Sequence, residues 1–389
     1  MQAAYTFIFL EIFSCEGGIQ SYVKDILEAY SRQSDAPSSD VFLLRDFPQS
    51  DNPLEGKSLR FHYMATPWLT LGRLRLALSL TLHLWKTRPK QVICGHIKLA
   101  PLVGSLCRSM GIPYTVMTYG KEVWQKLPGT YRRSLQRAES IWTISRYSRL
   151  LAHRANDLPL ERIKMLPCIV NGDVFTPGSP DPDLQAKYGL RGARVFLTVA
   201  RLWSGDIYKG VDVTIRALPA IATAFPDIKY LIIGRGDDQP RLCKLAAQMG
   251  VADRVIFAGF VPNHALAAHY RLADAYVMPS QEGFGIVYLE AMACGIPVIA
   301  GNDDGSADPL QDGRLGWQVP HRSPEALAAA CIELLQGQDP RCDGLWLRQE
   351  ALKRFNPEAL SSRLQELLGF PKATDADVKI DSNRYGGGS

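Results

Sequence analysis

The chain of 389 residues has no C-x-x-C pair and no cysteine–histidine cluster at zinc spacing. Its eight cysteines, Cys15, Cys94, Cys107, Cys168, Cys243, Cys294, Cys331 and Cys342, stand singly, which argues against a zinc ribbon or a disulfide framework and for thiols in a reducing cytosol. No apolar stretch reaches 18 residues, because Arg73, Arg75 and His83 interrupt the best candidate, so a spanning helix is not expected. A basic leader is missing as well. The opening MQAAYTFIFLEIF carries Glu11 inside its apolar run and reads as a first strand rather than a signal peptide, which points to a cytoplasmic protein. Strong net charge is also absent: at +5, the chain offers no argument for binding nucleic acid.

A 46% hydrophobic and 21% charged composition suffices for two cores of ordinary size. Short apolar runs alternate with helical patterns: AAYTFIFLEIF, VFLL, QVICG, YTVMT and SIWTIS, then, after the Pro/Gly/Asp-rich stretch 166–183, VFLTVA, KYLIIG, RVIFAGF, DAYVMP and IPVIA. Such alternation predicts an α/β protein, two Rossmann-like domains facing each other across a cleft lined by the carboxyl ends of their strands. Charge is uneven. Residues 60–164 hold 18 Lys and Arg against Glu122, Glu139, Asp157 and Glu161, a surplus of fourteen.

The segment SQEGFGIVYLEAMACGIPVIA sets two carboxylates at defined places. Glu282 falls on a strand-end loop, Gly283 and Gly285 break the chain, and Glu290 lies about one turn inside the helix that follows. The first helical N–H groups between them favour an anion. The spacing suits a sugar hydroxyl at Glu282, a phosphate over Gly285, Ile286 and Val287, and a ribose diol at Glu290, which together describe a nucleotide-sugar. Further cations converge on the same end of the sheet: Arg201 directly after VFLTVA, and Lys209 at the start of a helix whose Val211, Ile215 and Leu218 form an inward stripe. Both would neutralise a diphosphate leaving group. The D-x-D triplets Asp181–Asp183 and Asp375–Asp377 follow no cleft strand, so neither a metal nor any other cofactor is expected.

The E-G-F-G-x-x-x-x-E-A-M-A-x-G-x-P-V-I-A run closely resembles the signature of retaining GT-B glycosyltransferases of the family 4 type, and the resemblance extends over about residues 5–368. It implies that Glu282, on the loop with Phe284, faces the donor sugar, that Glu290 holds the ribose, and that Arg201 and Lys209 bind the diphosphate. It also places base recognition near Gly234 and Val261, and matches Gly17–Gly18 to the family's glycine loop, where backbone can approach phosphate or sugar. Asn171-Gly172-Asp173 resembles the family's interdomain hinge. His96, past the end of QVICG, and Asp308, in a glycine loop, are candidate sugar or acceptor contacts. Where relatives carry a histidine in H-G-x-E this chain has Tyr119, which donates a hydrogen bond but carries no proton at neutral pH as imidazole does.

The expectation is a retaining, metal-independent hexosyltransferase using a UDP- or GDP-sugar and a carbohydrate or lipid-linked acceptor. The rivals are a nucleotide-sugar epimerase and a non-catalytic nucleotide-sugar-binding partner. Domain limits are expected at 1–176 and 177–356, with a helix at 357–370 returning to the first domain and a flexible tail at 371–389. The segment WLTLGRLRLALSLTLHLWKTRPK mixes Trp68, Leu71, Leu78 and Trp85 with Arg73, Arg75, Lys86, Arg88 and Lys90. This is the composition of an interfacial helix that docks on an anionic membrane at its inner face, or of a buried layer helix with a solvated basic rim.

Overall fold

A computed structural model describes residues 4–56 and 58–370. The tail from 371 and the Asp375–Asp377 triplet lie outside the described residues.

The first sheet contains β1 (Tyr5–Phe9), β2 (Ser39–Leu43), β3 (Leu59–Tyr63), β4 (Gln91–Cys94), β5 (Tyr114–Thr118), β6 (Ser140–Thr143) and β7 (Ile163–Met165), all parallel in the order β3-β2-β1-β4-β5-β6-β7. The second contains β8 (Arg194–Val199), β9 (Ile228–Ile233), β10 (Val255–Gly259), β11 (Ala275–Met278), β12 (Val298–Gly301) and β13 (Trp317–Val319), parallel in the order β10-β9-β8-β11-β12-β13. Strands such as YTFIF and AYVM are buried throughout, as expected where helices cover both faces of a parallel sheet. Strands β3, β7 and β13 escape the sequence reading for one reason. Each is an edge strand whose run, LRFHY, IKM or WQV, is short or half-polar, whereas the fourth edge strand, β10, keeps the apolar run VIFAG.

The covering helices of the first domain are α1 (Gly18–Ser31), α2 (Leu69–Thr87), α3 (Ala100–Met110), α4 (Gly129–Gln136) and α5 (Arg146–Asn156). The rest are α6 (Pro182–Tyr188), α7 (Val211–Ala224), α8 (Gln239–Gln248), α9 (Asn263–Tyr270), α10 (Ile286–Ala293), α11 (Pro324–Gln336), α12 (Gly344–Arg354) and α13 (Pro357–Leu368). Asp181 accepts hydrogen bonds from the N–H groups of Asp183 and Leu184, so the first D-x-D triplet is the N-cap of α6. The Asn171 turn is clasped by Arg348 of α12, which donates to the carbonyls of Gly172, Phe175 and Ala293. After α12 the chain returns to the first domain. There Tyr5 Oη and Lys90 Nζ donate to Leu368 O, and Arg363 donates to Met165 O.

Helix α2 is a layer helix whose exposed side carries apolar residues as well as the basic Arg73, Arg75 and Lys86. It buries Gly72, Leu76, Leu80 and Leu84. On the opposite side Leu71, Leu74, Leu78, Leu82 and Trp85 are exposed, with Trp68 at the helix start. No described helix is long and apolar enough to cross a membrane.

Candidate active site

Both sheets direct the carboxyl ends of their central strands into the cleft, and each loop there is held by backbone bonds. The N–H of Glu282 donates to Asp304 Oδ2 at 2.6 Å, and its carbonyl accepts from Gly305 N–H at 2.8 Å. This ties the loop after β11 to the loop after β12 and orients the Glu282 carboxylate, which accepts from Lys209 Nζ at 2.6 Å. Burial draws the Lys209 ammonium toward neutrality, but Glu282 and Tyr208 outweigh it and its pKa is raised, so the pair is ionic. Lys209 does not open α7 as expected; it ends a 3-10 turn, Ser204–Lys209, two residues before Val211. Between them Gly210 adopts φ 74°, and a Cβ there would stand 2.4 Å from Pro279 O. That close approach brings the β8 loop against the end of β11, and with it Lys209 against Glu282. Val211, Ile215 and Leu218 are buried as the stripe requires.

Arg201 lies 3.0 Å from Asp206 and its guanidinium stacks 4.7 Å over Trp203, with the side chain 58% exposed. A third cation comes from the first domain: Lys121 Nζ sits 2.9 Å above the Tyr208 ring, whose centroid is 5.3 Å from Lys209 Nζ. Burial lowers the Lys121 pKa, and Glu282 opposes that. Nothing in the local sequence marks Lys121, because its proximity to Lys209 exists only once the two domains meet.

Helix α10 begins at Gly285 (φ 88°) with no side-chain cap, so the N–H groups of Ile286 and Val287 find no acceptor among the described residues. Helix α1 likewise begins without a side-chain cap at Gly17. A methyl added to Gly18 would stand 3.6 Å from Ile286 Cγ2. Two uncapped helix N-termini therefore meet across the cleft, which makes it favourable for an anion. Gly17 has extended backbone (φ 173°) that any residue adopts, so local conformation does not demand glycine there. One turn into α10, Glu290 accepts from Tyr270 Oη at 2.7 Å, and burial pushes its pKa up to about 7. Asp25 on α1 is raised to about 8 by burial and by the nearby Glu28 and Glu290.

Residues 181–345 match the family model of glycosyl transferases group 1. The GDP-mannose-dependent alpha-(1-6)-phosphatidylinositol monomannoside mannosyltransferase of Mycolicibacterium smegmatis is 36% identical over 288 residues, covering 69% of this chain and 73% of the relative. The chain belongs to the glycosyl transferases group 1 family. A Corynebacterium glutamicum relative, a GDP-mannose-dependent monoacylated alpha-(1-6)-phosphatidylinositol monomannoside mannosyltransferase, is 27% identical over 90% of this chain and 94% of its own. Among solved structures, sucrose-phosphate synthase from Thermosynechococcus elongatus superposes with a TM-score of 0.74 at 22% identity (95% and 98% of the chains), and Anabaena HepE in complex with UDP with 0.75 at 17% (94% and 99%). The fold of this glycosyltransferase is thus the GT-B fold.

Several expected contacts of the glycosyltransferase are placed differently. Phe284 turns into the core, 1% exposed, with its ring 5.6 Å from that of Phe355. Val261 packs its side chain into the core, which leaves the expected role of its backbone untouched. Gly234 (φ 140°) makes room for protein: a Cβ there would lie 1.8 Å from Ala200 O, and this close packing supports the loop that carries Arg201. Tyr119 does not offer its hydroxyl to a sugar, because it is buried and donates to Gly95 O. Beside it His96 Nδ1 accepts from Lys98 N–H at 3.0 Å, which leaves the ring proton on Nε2. Burial, with Lys98 and Arg45, lowers its pKa to about 4, so the imidazole is neutral. Asp308 accepts from the backbone N–H and guanidinium of Arg146, an interdomain clasp that also includes Asp312 at 2.7 Å. The short Asp side chain is thereby committed to the other domain and not free for sugar. The domains also touch where a Cβ on Gly283 would stand 2.3 Å from Tyr119 O, and where Asn263 N–H donates to Glu16 Oε2 at 3.0 Å. These contacts describe a closed cleft.

Proposed function

We propose that this enzyme is a retaining, metal-independent mannosyltransferase that moves the hexosyl unit of GDP-mannose to a hydroxyl of a phosphatidylinositol-type lipid at the cytoplasmic face of a membrane. The donor and acceptor classes are supported by the relatives named above, and the chemistry by the cation cluster at the cleft. The observation that carries the reading is the Lys209–Glu282 ion pair beside the uncapped start of α10, where sugar and diphosphate would meet. In this reading the diphosphate lies over Ile286 and Val287 with Arg201 and Lys209 on its oxygens, the ribose diol donates to Glu290, and Glu282 holds the sugar.

The bond from sugar C1 to the diphosphate oxygen breaks, and the acceptor oxygen forms its bond to C1 on the same face. The acceptor proton passes to the departing phosphate, whose growing charge is stabilised by the two cations and the helix N-terminus. Metal independence is supported by the cap role of Asp181 and by Arg201 and Lys209, whose charges would take a metal's place at the leaving group. Membrane attachment is supported by the exposed apolar stripe of α2.

A donor panel of GDP-mannose, UDP-glucose and UDP-galactose, with and without phosphatidylinositol in detergent and with EDTA, tests the reading. The expected result is GDP release from GDP-mannose only with lipid, an α-linked product by NMR, and no loss in EDTA. Donor isomerisation without acceptor, an inverted linkage or abolition by chelation would each overturn the corresponding element.

A further inference from the structure

Away from the cleft, α3 and α4 run side by side and leave a hollow of about 520 Å³ between them. Its walls are Ser105, Arg108 and Ser109 from α3, Thr130 and Arg133 from α4, and Arg137, the α4 C-cap. Residues four apart on each helix share a face, so each helix presents hydroxyls and guanidinium groups to the same groove. Tyr114 lies beneath, its hydroxyl donating to Ser134 O, and Gly104 is needed there because a Cβ would come within 2.9 Å of that hydroxyl. None of the three arginines has an ion pair among the described residues; Arg133 Nε donates only to Gly129 O. Arg108, Arg133 and Arg137 thus line one groove with no acidic partner, and planar donors with hydroxyls around them fit a phosphate group.

Helix α2 packs against α3, which forms one wall of the groove. Arg88, the α2 C-cap, donates to Met110 O at the end of α3, and α2, α3 and α4 cover the same face of the first sheet through a shared core. At 100° per residue the exposed positions 71, 74, 78, 82 and 85 form one stripe centred opposite the buried positions 72, 76, 80 and 84, so the stripe points outward beside the groove. From Trp68 to Trp85 it runs about 25 Å, with a Trp at each end as at membrane interfaces. The basic surplus of residues 60–164 complements an anionic surface.

We propose that the α3–α4 groove is a phosphate site separate from the catalytic cleft, which holds the head group of an anionic phospholipid while α2 lies in the membrane interface. The inference rests on the membrane attachment proposed above.

Co-sedimentation with phosphatidylcholine vesicles, with and without phosphatidylglycerol, compares the wild type with two triple variants of equal charge loss, Arg108→Gln/Arg133→Gln/Arg137→Gln in the groove and Arg73→Gln/Arg75→Gln/Lys86→Gln on α2. Glycerol 1-phosphate binding to GDP-saturated enzyme, followed by thermal shift, isolates the groove from the cleft. Loss of three basic residues lowers partition by about a hundredfold through charge alone. The expected result is a larger loss in the groove variant than in the α2 variant, together with loss of its glycerol 1-phosphate shift and unchanged turnover on a detergent-solubilised acceptor. Equal losses in the two variants would overturn the head-group site and leave membrane attachment standing. No binding of wild type to anionic vesicles would overturn both, and a glycerol 1-phosphate shift in that case would identify the groove as a site for free phosphate instead.

Discussion

Glu290 offers the sharpest test of the donor site, because its burial ties nucleotide binding to pH. Its carboxyl titrates at about 7 against an ordinary 4.5, with burial as the main cause and the Tyr270 hydrogen bond opposing it. A proton is therefore bound in the fold that the unfolded chain releases, so this contribution to stability is fully present below 4.5 and lost as pH rises through about 7. The gap corresponds to about 3 kcal/mol at alkaline pH, and Glu290→Gln should remove that dependence. Binding has the opposite sign. The ionised carboxylate only accepts, and a ribose diol only needs acceptors, so GDP should bind the deprotonated form. With half-ionisation at about 7, roughly ten parts in eleven are ionised at pH 8 and one in eleven at pH 6, so affinity should fall about tenfold between them. Asp304 and Asp25 are raised to about 7 and about 8, and phosphate titrates nearby, so the quantity to measure by calorimetry is the ratio of wild-type to Glu290→Gln affinity. That ratio should grow about tenfold from pH 6 to pH 8. A ratio that stays flat, or that shrinks with rising pH, would refute the ribose assignment.

Arg201→Ala and Lys209→Ala should each lower turnover by about a hundredfold through loss of a charge-assisted contact to the leaving group, and unchanged kcat in either would exclude that residue from the diphosphate site. Because Lys209 holds Glu282 at 2.6 Å, its loss should also raise KM for the donor where Arg201→Ala need not. Gly283→Ala should hinder closure, since its Cβ would meet Tyr119 O at 2.3 Å; kcat should drop at least tenfold while GDP affinity and Tm stay near wild type, and a fully active variant would show that the cleft need not close this far. Arg146→Ala should loosen the clasp to Asp308 and Asp312, visible as a larger radius of gyration by X-ray scattering without nucleotide. The partly exposed pair is worth about 1 kcal/mol at most, so an unchanged radius would mean that other contacts hold the domains.

Local pattern was enough for the parts of this protein that depend on local chemistry. Central strands such as YTFIF and AYVM are buried on both faces and must be apolar along their length, and Gly285 before IVYLEAMA marks a helix start whatever surrounds it. The spacing of Glu282, Gly285 and Glu290 on one strand-loop-helix unit was legible for the same reason, as was the cation pair after β8. What tertiary structure alone decided are the relations between segments far apart in sequence. Edge strands β3, β7 and β13 are short or half-polar and carry little apolar signal, unlike the edge strand β10. Position alone puts Tyr119 and Phe284 at the cleft, but the direction of a side chain depends on what packs behind it, here Gly95 O and Phe355. Asp308 meets Arg146 across 162 residues, and Lys121 meets Tyr208 only when the domains close. The two apolar faces of α2 look alike in sequence, since hydrophobicity specifies burial without a partner; only the fold shows which leucines found the sheet and which were left outside.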